Sequence, residues 1–176
     1  MLACSPTEDI QEDTGITANN DLTEEADEIL SWQEVELTNV LTEEQFSIQE
    51  LQTENKVIFM ETFAIWCPTC TKQQTAIQEL HDILGEEIIS VSLDVDPNED
   101  APAVKDHATS YGFDWNYAIA PVEMVQVLID EFGVTIASAP LAPIIRICPN
   151  GEITLLKSGF KSVEELQTAV SECVVG

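Results

Sequence analysis

Basic residues are scarce in this sequence. Lysine and arginine together number 6, against 33 aspartates and glutamates, and the formal net charge of the 176-residue chain is −27. Such a surface repels the phosphates of nucleic acids and of anionic membranes. We therefore expect no nucleic-acid partner. A solvated surface adapted to high salt or low pH is favoured over a docking surface for a basic partner.

Long apolar stretches are also missing. No run approaches the roughly 18 consecutive apolar residues that a membrane span requires, and only Met1-Leu2-Ala3 precede Cys4, so a complete secretory signal is absent. The residues around Cys4 nevertheless resemble the end of a bacterial lipoprotein signal, in which the cysteine receives the lipid. Two interpretations stay open: a trimmed start with Cys4 as the lipid attachment residue, or an incidental cysteine.

Residues 1–30 contain no aromatic and no basic residue, and many acids. Mutual repulsion of the acids extends such a segment, and its composition cannot supply a core. We predict a disordered acidic tail over residues 1–30, which would serve as a tether if Cys4 carries a lipid. Residues 31–176 are predicted to form one folded domain.

Two cysteines, Cys67 and Cys70, lie between an apolar run and a helical pattern. Residues 57–65 predict a buried central strand. Residues 68–84 predict a helix, with proline at its first position and Gly85 beyond its end. The first cysteine is therefore placed where free N–H groups and the helix dipole stabilise a thiolate, and the second follows one turn later. This arrangement indicates thiol–disulfide exchange.

Strands and helices alternate along the rest of the chain. The predicted strands cover residues 32–37, 46–48, 88–95, 115–119, 144–148 and 153–157. The predicted helices cover residues 49–54, 101–111, 121–132 and 162–173, the last with a capping box of Ser162 and Glu165. The fold class is therefore α/β, with a mixed central sheet flanked by helices.

The W-C-x-x-C of Trp66 to Cys70, the helix behind it, and Ala142-Pro143 before a hairpin resemble the thioredoxin superfamily. The resemblance covers residues 32–173 and implies the thioredoxin fold, with a cis-proline facing the disulfide. Pro143 fits that position better than Pro140. The N-terminal β-hairpin and an inserted helix–strand–helix segment are similar to those of TlpA/ResA-like, membrane-tethered proteins.

The resemblance implies a protein-disulfide reductase outside the cytoplasm, held at the cell membrane only by a lipid anchor. Its partners would be protein thiols and disulfides, apocytochrome c among them, and a membrane thiol electron donor. No cofactor or metal is implied, because the electrons reside on two sulfurs, and a monomer is expected. The pair Pro68-Thr69 between the cysteines departs from the common Gly-Pro.

Three residues are expected to carry the chemistry. Cys67, the more accessible cysteine, attacks the substrate disulfide, and Cys70 resolves the mixed disulfide. Glu61 stands where many thioredoxins carry a buried aspartate. On a strand it shares a face with Phe59 and Phe63, so its pKa should rise and it could accept the Cys70 proton. The alternative is a strand-edge glutamate that reaches solvent.

The predicted substrate contacts are Trp66, Pro68, Thr69, Ala142 and Pro143. The first three are next to the cysteines in the sequence, and the family resemblance places the last two beside the disulfide. Trp66 is expected at the rim of the site.

Other residues receive structural interpretations. Cys148 and Cys173 form either a disulfide or two buried free thiols, and the second interpretation is favoured. His81 and His107 are expected on the surface.

Two other functions remain open. A thiol peroxidase shares the larger fold, although its peroxidatic cysteine usually lacks a C-x-x-C partner. A non-catalytic module could bind copper through Cys67 and Cys70. Zinc is disfavoured, because it needs four ligands and the other cysteines are scattered.

Overall fold

A small antiparallel hairpin opens the described part of the chain. The computed structural model describes residues 31–173, so the predicted tail and Cys4 lie outside the described residues. Strand β1 (Leu37–Thr38) pairs with β2 (Gln45–Phe46), which confirms the N-terminal hairpin. A short helix, α1 (Ile48–Gln52), follows.

The strand predicted over residues 32–37 is shorter than expected. Trp32 lies in a turn instead of a strand, and its side chain is buried. The indole Nε1 donates a hydrogen bond to Glu131 Oε2 at 2.7 Å, and the ring meets Phe132 edge-on. The apolar residue at position 32 is therefore explained by the packing of Trp32 against helix α4 (Val122–Phe132), and not by strand pairing.

The central sheet has five strands, as the sequence predicts. They are β3 (Val57–Phe63), β4 (Ile88–Asp94), β5 (Asn116–Ile119), β6 (Ile144–Ile147) and β7 (Ile153–Leu155). Their spatial order is β5-β4-β3-β6-β7. The pairs β3–β4 and β4–β5 are parallel, whereas β3–β6 and β6–β7 are antiparallel, so the sheet is mixed.

Helices cover both faces of the sheet. They are α2 (Pro68–Leu84), α3 (Ala101–Tyr111), α4 (Val122–Phe132) and α5 (Val163–Glu172). All seven residues of β3 are buried, and successive side chains enter opposite cores. Phe59 and Phe63 pack with α2, α3 and α5, while Ile58 and Met60 pack with α4. Glu61 belongs to the first set, as predicted.

The segment between α4 and β6 was not predicted. It forms two short 3₁₀ helices, Val134–Ala137 and Ala139–Leu141. The expected cis-proline is wrong, because no peptide bond within residues 31–173 is cis. The chain instead turns into β6 through Ala142, which takes the left-handed conformation with φ 44° and ψ 56°.

A second disulfide joins the far end of the hairpin to the last helix. Cys148 follows β6 and Cys173 caps α5, and their Cα atoms lie 5.2 Å apart in a bonded pair. The favoured interpretation of two free thiols is therefore wrong, because α5 packs against the sheet where β6 ends. No helix in residues 31–173 is long and apolar enough to cross a membrane.

Candidate active site

The two cysteines of the C-x-x-C lie at disulfide distance at the start of α2. Their Cα atoms are 5.3 Å apart and their sulfurs are paired. Cys67 is the N-cap residue, Pro68 occupies the first helical position, and the Cys70 amide donates a hydrogen bond to Cys67 Sγ at 3.2 Å. After reduction this amide and the helix dipole would face the sulfur of Cys67 and favour its thiolate.

Both cysteines are buried in the disulfide form. The exposed fraction is 1% for Cys67 and 1% for Cys70, so the expectation that Cys67 is the accessible one is wrong for this state. Residues 139–141 pack against α2, and Ala139 O lies 3.1 Å from Cys70 Sγ. This unpredicted segment therefore contacts the sulfur of Cys70 directly.

Glu61 is a buried carboxyl group in the middle of β3. Its exposed fraction is 1%, and its Oε1 accepts a hydrogen bond from Ser92 Oγ at 2.6 Å. Loss of hydration raises the pKa of Glu61 to about 7, although the Ser92 hydroxyl, the Gln74 amide and the Lys161 charge oppose the rise. Such a group can exchange a proton near neutral pH, and the alternative of a solvent-reaching glutamate is wrong.

Gln74 connects Glu61 to the cysteine helix. It is fully buried on α2, one turn after Cys70 and on the same face. Its Oε1 accepts a hydrogen bond from His107 Nε2 at 2.8 Å, while its Nε2 has no partner among the described residues and lies near Glu61. Gln74 therefore lies between Glu61 and the turn of α2 that carries Cys70.

Two aromatic side chains complete the wall around Glu61. Trp115 Nε1 donates a hydrogen bond to Ser92 Oγ at 2.9 Å, which fixes the hydroxyl that serves Glu61. The buried Tyr117 hydroxyl has no hydrogen-bond partner in the described part of the chain. Burial and the Glu61 charge raise the pKa of Tyr117, so it stays neutral.

The two histidines are half-buried, so the prediction of surface histidines is wrong. His107 stacks on Phe63, and His81 stacks on Trp115 while its Nε2 lies 2.9 Å from Ser90 Oγ. Burial lowers the pKa of both imidazoles, which keeps them neutral at neutral pH.

The acidic loop after β4 binds the two residues that precede Cys67. Glu99 Oε2 accepts a hydrogen bond from the Ile65 amide at 2.8 Å, and Asp96 Oδ2 accepts one from Trp66 Nε1 at 2.6 Å. Asp94, fully buried at the end of β4, has its pKa raised to about 7 by loss of hydration and by the Glu99 charge.

The predicted substrate contacts fall into two groups. Trp66 is 58% exposed, Pro68 is exposed and Thr69 half-exposed, and a shallow groove of about 370 Å³ runs past Trp66 and Pro68 to Tyr111. Ala142 and Pro143 are buried, and Pro143 O accepts a hydrogen bond from the Thr62 amide at 3.3 Å.

No group of three or more His, Cys, Asp or Glu side chains within residues 31–173 is arranged to hold a metal ion.

Several residues of the site were not identified from the sequence. They are Gln73, Gln74, Ser92, Ala139 and Lys161, all buried. Polar residues at core positions of predicted strands and helices were the available signal, because Ser92 interrupts the apolar run of β4 and Gln74 lies between the core positions Cys70 and Ile77 of α2.

Comparison with known proteins agrees with the geometry. The Thioredoxin family model matches residues 37–110. No curated protein sequence matches the chain.

Solved structures share the fold at low sequence identity. A thiol:disulfide interchange protein from Chlorobium tepidum TLS is 18% identical, with a TM-score of 0.63 over 80% of this chain and 92% of its own. A secreted Mycobacterium tuberculosis disulfide oxidoreductase homologous to E. coli DsbE is 15% identical, with a TM-score of 0.62 over 81% of this chain and 97% of its own. StoA from Bacillus subtilis is 18% identical, with a TM-score of 0.55 over 75% and 92%.

The matched segment contains β3, the C-x-x-C pair and α2, and the remaining elements complete the five-stranded sheet around them. The chain therefore has the thioredoxin fold, with its two cysteines at disulfide distance at the start of α2.

Proposed function

We propose that the protein is a TlpA/ResA-like reductase of protein disulfides that works outside the cytoplasm. Cys67 is the attacking thiolate, Cys70 the resolving thiol and Glu61 the group that takes the Cys70 proton. The observation that carries the proposal is the Cys70 amide bound to Cys67 Sγ at the start of α2, with the buried Glu61 near Gln74 of the same helix.

In the proposed reaction these three residues supply both electrons and accept the Cys70 proton. The Cys67 thiolate attacks a substrate disulfide, forming a mixed disulfide and releasing one substrate thiolate, which takes a proton from solvent. Glu61 then accepts the Cys70 proton, and the Cys70 sulfur forms a bond to Cys67 as the bond from Cys67 to the substrate breaks. The substrate gains two electrons, and the Cys67–Cys70 pair is oxidised.

The second disulfide supports a location outside the cytoplasm. Cys148 and Cys173 are buried and bonded, and structural disulfides persist mainly in oxidising compartments. The similar Mycobacterium tuberculosis protein is a secreted one. A lipid on Cys4, with residues 1–30 as the tether, would hold the domain at the membrane surface near a thiol electron donor.

The substrate class follows from the site. Trp66 and the groove beside it offer an exposed apolar surface next to Pro68 and Thr69, which suits an extended cysteine-containing segment of an unfolded or flexible protein. Ala142 and Pro143, which follow the segment in contact with Cys70, would line the other side. Apocytochrome c is one substrate of this kind.

Reduction of insulin with dithiothreitol as electron source tests the proposal. Turnover by the wild type that disappears in Cys67→Ser supports it. Peroxide consumption without insulin reduction would favour a thiol peroxidase, and copper binding without turnover a metal module. A reduction potential near about −270 mV fits a reductase, whereas one near about −120 mV fits an oxidase.

A further inference from the structure

Lys161 is a buried charge that the mechanism above does not use. Its exposed fraction is 2%, and it lies between β7 and Ser162, the N-cap residue of α5. Arg146, the other buried base, forms ion pairs with Glu152 and Glu172. The Lys161 ammonium instead donates to a carbonyl oxygen, that of Ala142. An ammonium without a direct carboxylate partner is costly to bury.

The backbone of Lys161 is fixed to the cysteine helix. Its amide donates a hydrogen bond to Gln73 Oε1 at 2.7 Å, and Gln73 Nε2 returns one to Lys161 O at 3.2 Å. Gln73 is fully buried on α2, three residues after Cys70. Lys161 therefore joins the helix that carries both cysteines to Ala142, the residue before Pro143.

The sheet register brings Lys161 towards Glu61. The Lys161 ammonium binds the carbonyl oxygen of Ala142. Two residues later, Ile144 of β6 pairs with Glu61 of β3.

Burial lowers the pKa of Lys161 to about 8, and the Glu61 charge acts against this lowering. In return the Lys161 charge lowers the pKa of Glu61, as do the Ser92 hydroxyl and the nearby Gln74 amide, while Tyr117 beside them stays neutral.

Two further charged groups face Lys161. Lys157 and Glu165 lie on its outer side, where they are exposed and form an ion pair with each other. Their opposite charges largely cancel at Lys161, and water screens them. Lys161 and Glu61 are both buried, so water does not screen the interaction between their charges.

We propose that Lys161 is a positioning residue for the exchange reaction, whose ammonium group keeps Glu61 ionised to receive the Cys70 proton and holds Ala142, the residue before Pro143, in place. The proposal rests on the function proposed above. It adds no co-reactant: the proton passes from Cys70 Sγ to the Glu61 carboxylate, and the electron pair passes from the Cys70 sulfur through Cys67 to the substrate sulfur.

The test uses three variants of the full chain. Lys161→Met removes the charge at similar length, Lys161→Arg keeps it, and Lys157→Met is the matched control at an exposed lysine of the same segment. Two quantities are measured in each: the pH dependence of kcat and KM for insulin reduction, and the Glu61 pKa from the side-chain carboxyl ¹³C signal.

In Lys161→Met we expect both the Glu61 pKa and the acid limb of kcat to move up by about one pH unit, since an opposite charge nearby shifts a carboxyl by this much or more. At pH 6 kcat then falls by about tenfold. KM rises because Ala142 is released. Lys161→Arg restores the pH profile, and Lys157→Met matches the wild type.

Each other result counts against the proposal in a defined way. A lower activity of Lys161→Met with an unchanged Glu61 pKa and acid limb means that Lys161 is merely structural, and overturns the inference. If Lys161→Met does not fold, Lys161→Gln, which retains a donor for Ala142, must show the same shift of the Glu61 pKa. A wild type without insulin turnover overturns the proposed function, whereas an active wild type with an unshifted variant overturns only this inference.

Discussion

Ser92 lies directly opposite Glu61 on the neighbouring parallel strand and donates a hydrogen bond to Glu61 Oε1 at 2.6 Å. The register of β3 and β4 therefore sets the environment of the proposed proton acceptor. The same hydroxyl accepts from Trp115 Nε1, so one serine links the carboxyl to the aromatic wall.

Ser92→Ala is expected to raise the Glu61 pKa further, because a hydrogen bond to the ionised form is lost. The acid limb of the insulin-reduction rate should move to higher pH. The free energy of unfolding should fall by about 1–3 kcal/mol, since Trp115 Nε1 loses its acceptor. Ser90→Ala, a buried serine of the same strand bound to His81, is the control. An equal shift in both variants would contradict the account.

Glu61→Gln should slow resolution more than attack. Without the carboxylate, Cys70 loses its proposed proton acceptor, and general base catalysis of this kind contributes about 10²-fold or more. We expect the mixed disulfide to accumulate in rapid-quench measurements with a labelled disulfide substrate. Glu79→Gln, an exposed acid on α2, should behave as the wild type. Unchanged resolution in Glu61→Gln would show that another group takes the proton.

Stability should decrease as pH rises from about 4.5 to 7. The folded pKa of Glu61 is about 7 against an ordinary 4.5, so over this window the native state binds more protons than the unfolded state. By linkage the free energy of unfolding falls by about 3 kcal/mol from this group, and the loss is complete above pH 7. Asp94 acts in the same direction.

Urea unfolding at a series of pH values measures this dependence. Glu61→Gln should remove most of the Glu61 share, and Asp94→Asn should reduce the rest. A wild type whose stability is flat between these pH values would contradict the burial of both ionised carboxylates.

The sequence predicted those helices whose ends are marked by capping residues, proline or glycine. Pro68 and Gly85 mark the two ends of α2, and Ser162 with Glu165 forms the predicted capping box of α5. The apolar run of β3 predicted its central place, and the face shared by Glu61 and Phe59 predicted the burial of the carboxyl.

Other features depend on contacts between distant parts of the chain. The segment 134–142 has no regular apolar period, so its 3₁₀ helices and its contact with Cys70 could not be predicted. From the sequence alone Lys161 would be expected on the surface. The fold buries it, and its ammonium group donates a hydrogen bond to the Ala142 carbonyl oxygen. The pairing of Cys148 with Cys173 likewise follows from the packing of α5, since spacing alone does not give connectivity.

The Cys148–Cys173 bond should contribute stability and no catalysis. It closes a segment with a sequence separation of 25 residues, for which loop entropy gives about 3 kcal/mol. The double variant Cys148→Ala, Cys173→Ala is expected to unfold at lower urea concentration by this amount and to keep its insulin turnover at low temperature. Loss of turnover in a folded double variant would assign the second pair a redox role.

Trp66→Ala should raise KM for protein substrates with little change in kcat. The indole is exposed and fixed by Asp96, so it offers a preformed apolar surface beside Cys67. Val122→Ala, at an exposed apolar residue on α4, is the control and should leave KM unchanged. A fall in kcat at constant KM would place Trp66 in the chemical step instead.

The pKa of the Cys67 thiol in the reduced protein tests the central claim most directly. Alkylation rates with iodoacetamide between pH 4 and 10, in a Cys70→Ser variant, give this pKa, and Cys67→Ser with Cys70 retained gives the comparison. The account predicts a Cys67 pKa within about 3.5–7.5, well below the roughly 8.5 of a free cysteine. A value near that of free cysteine, with no Cys67–Cys70 bond forming on oxidation of the wild type, would contradict it.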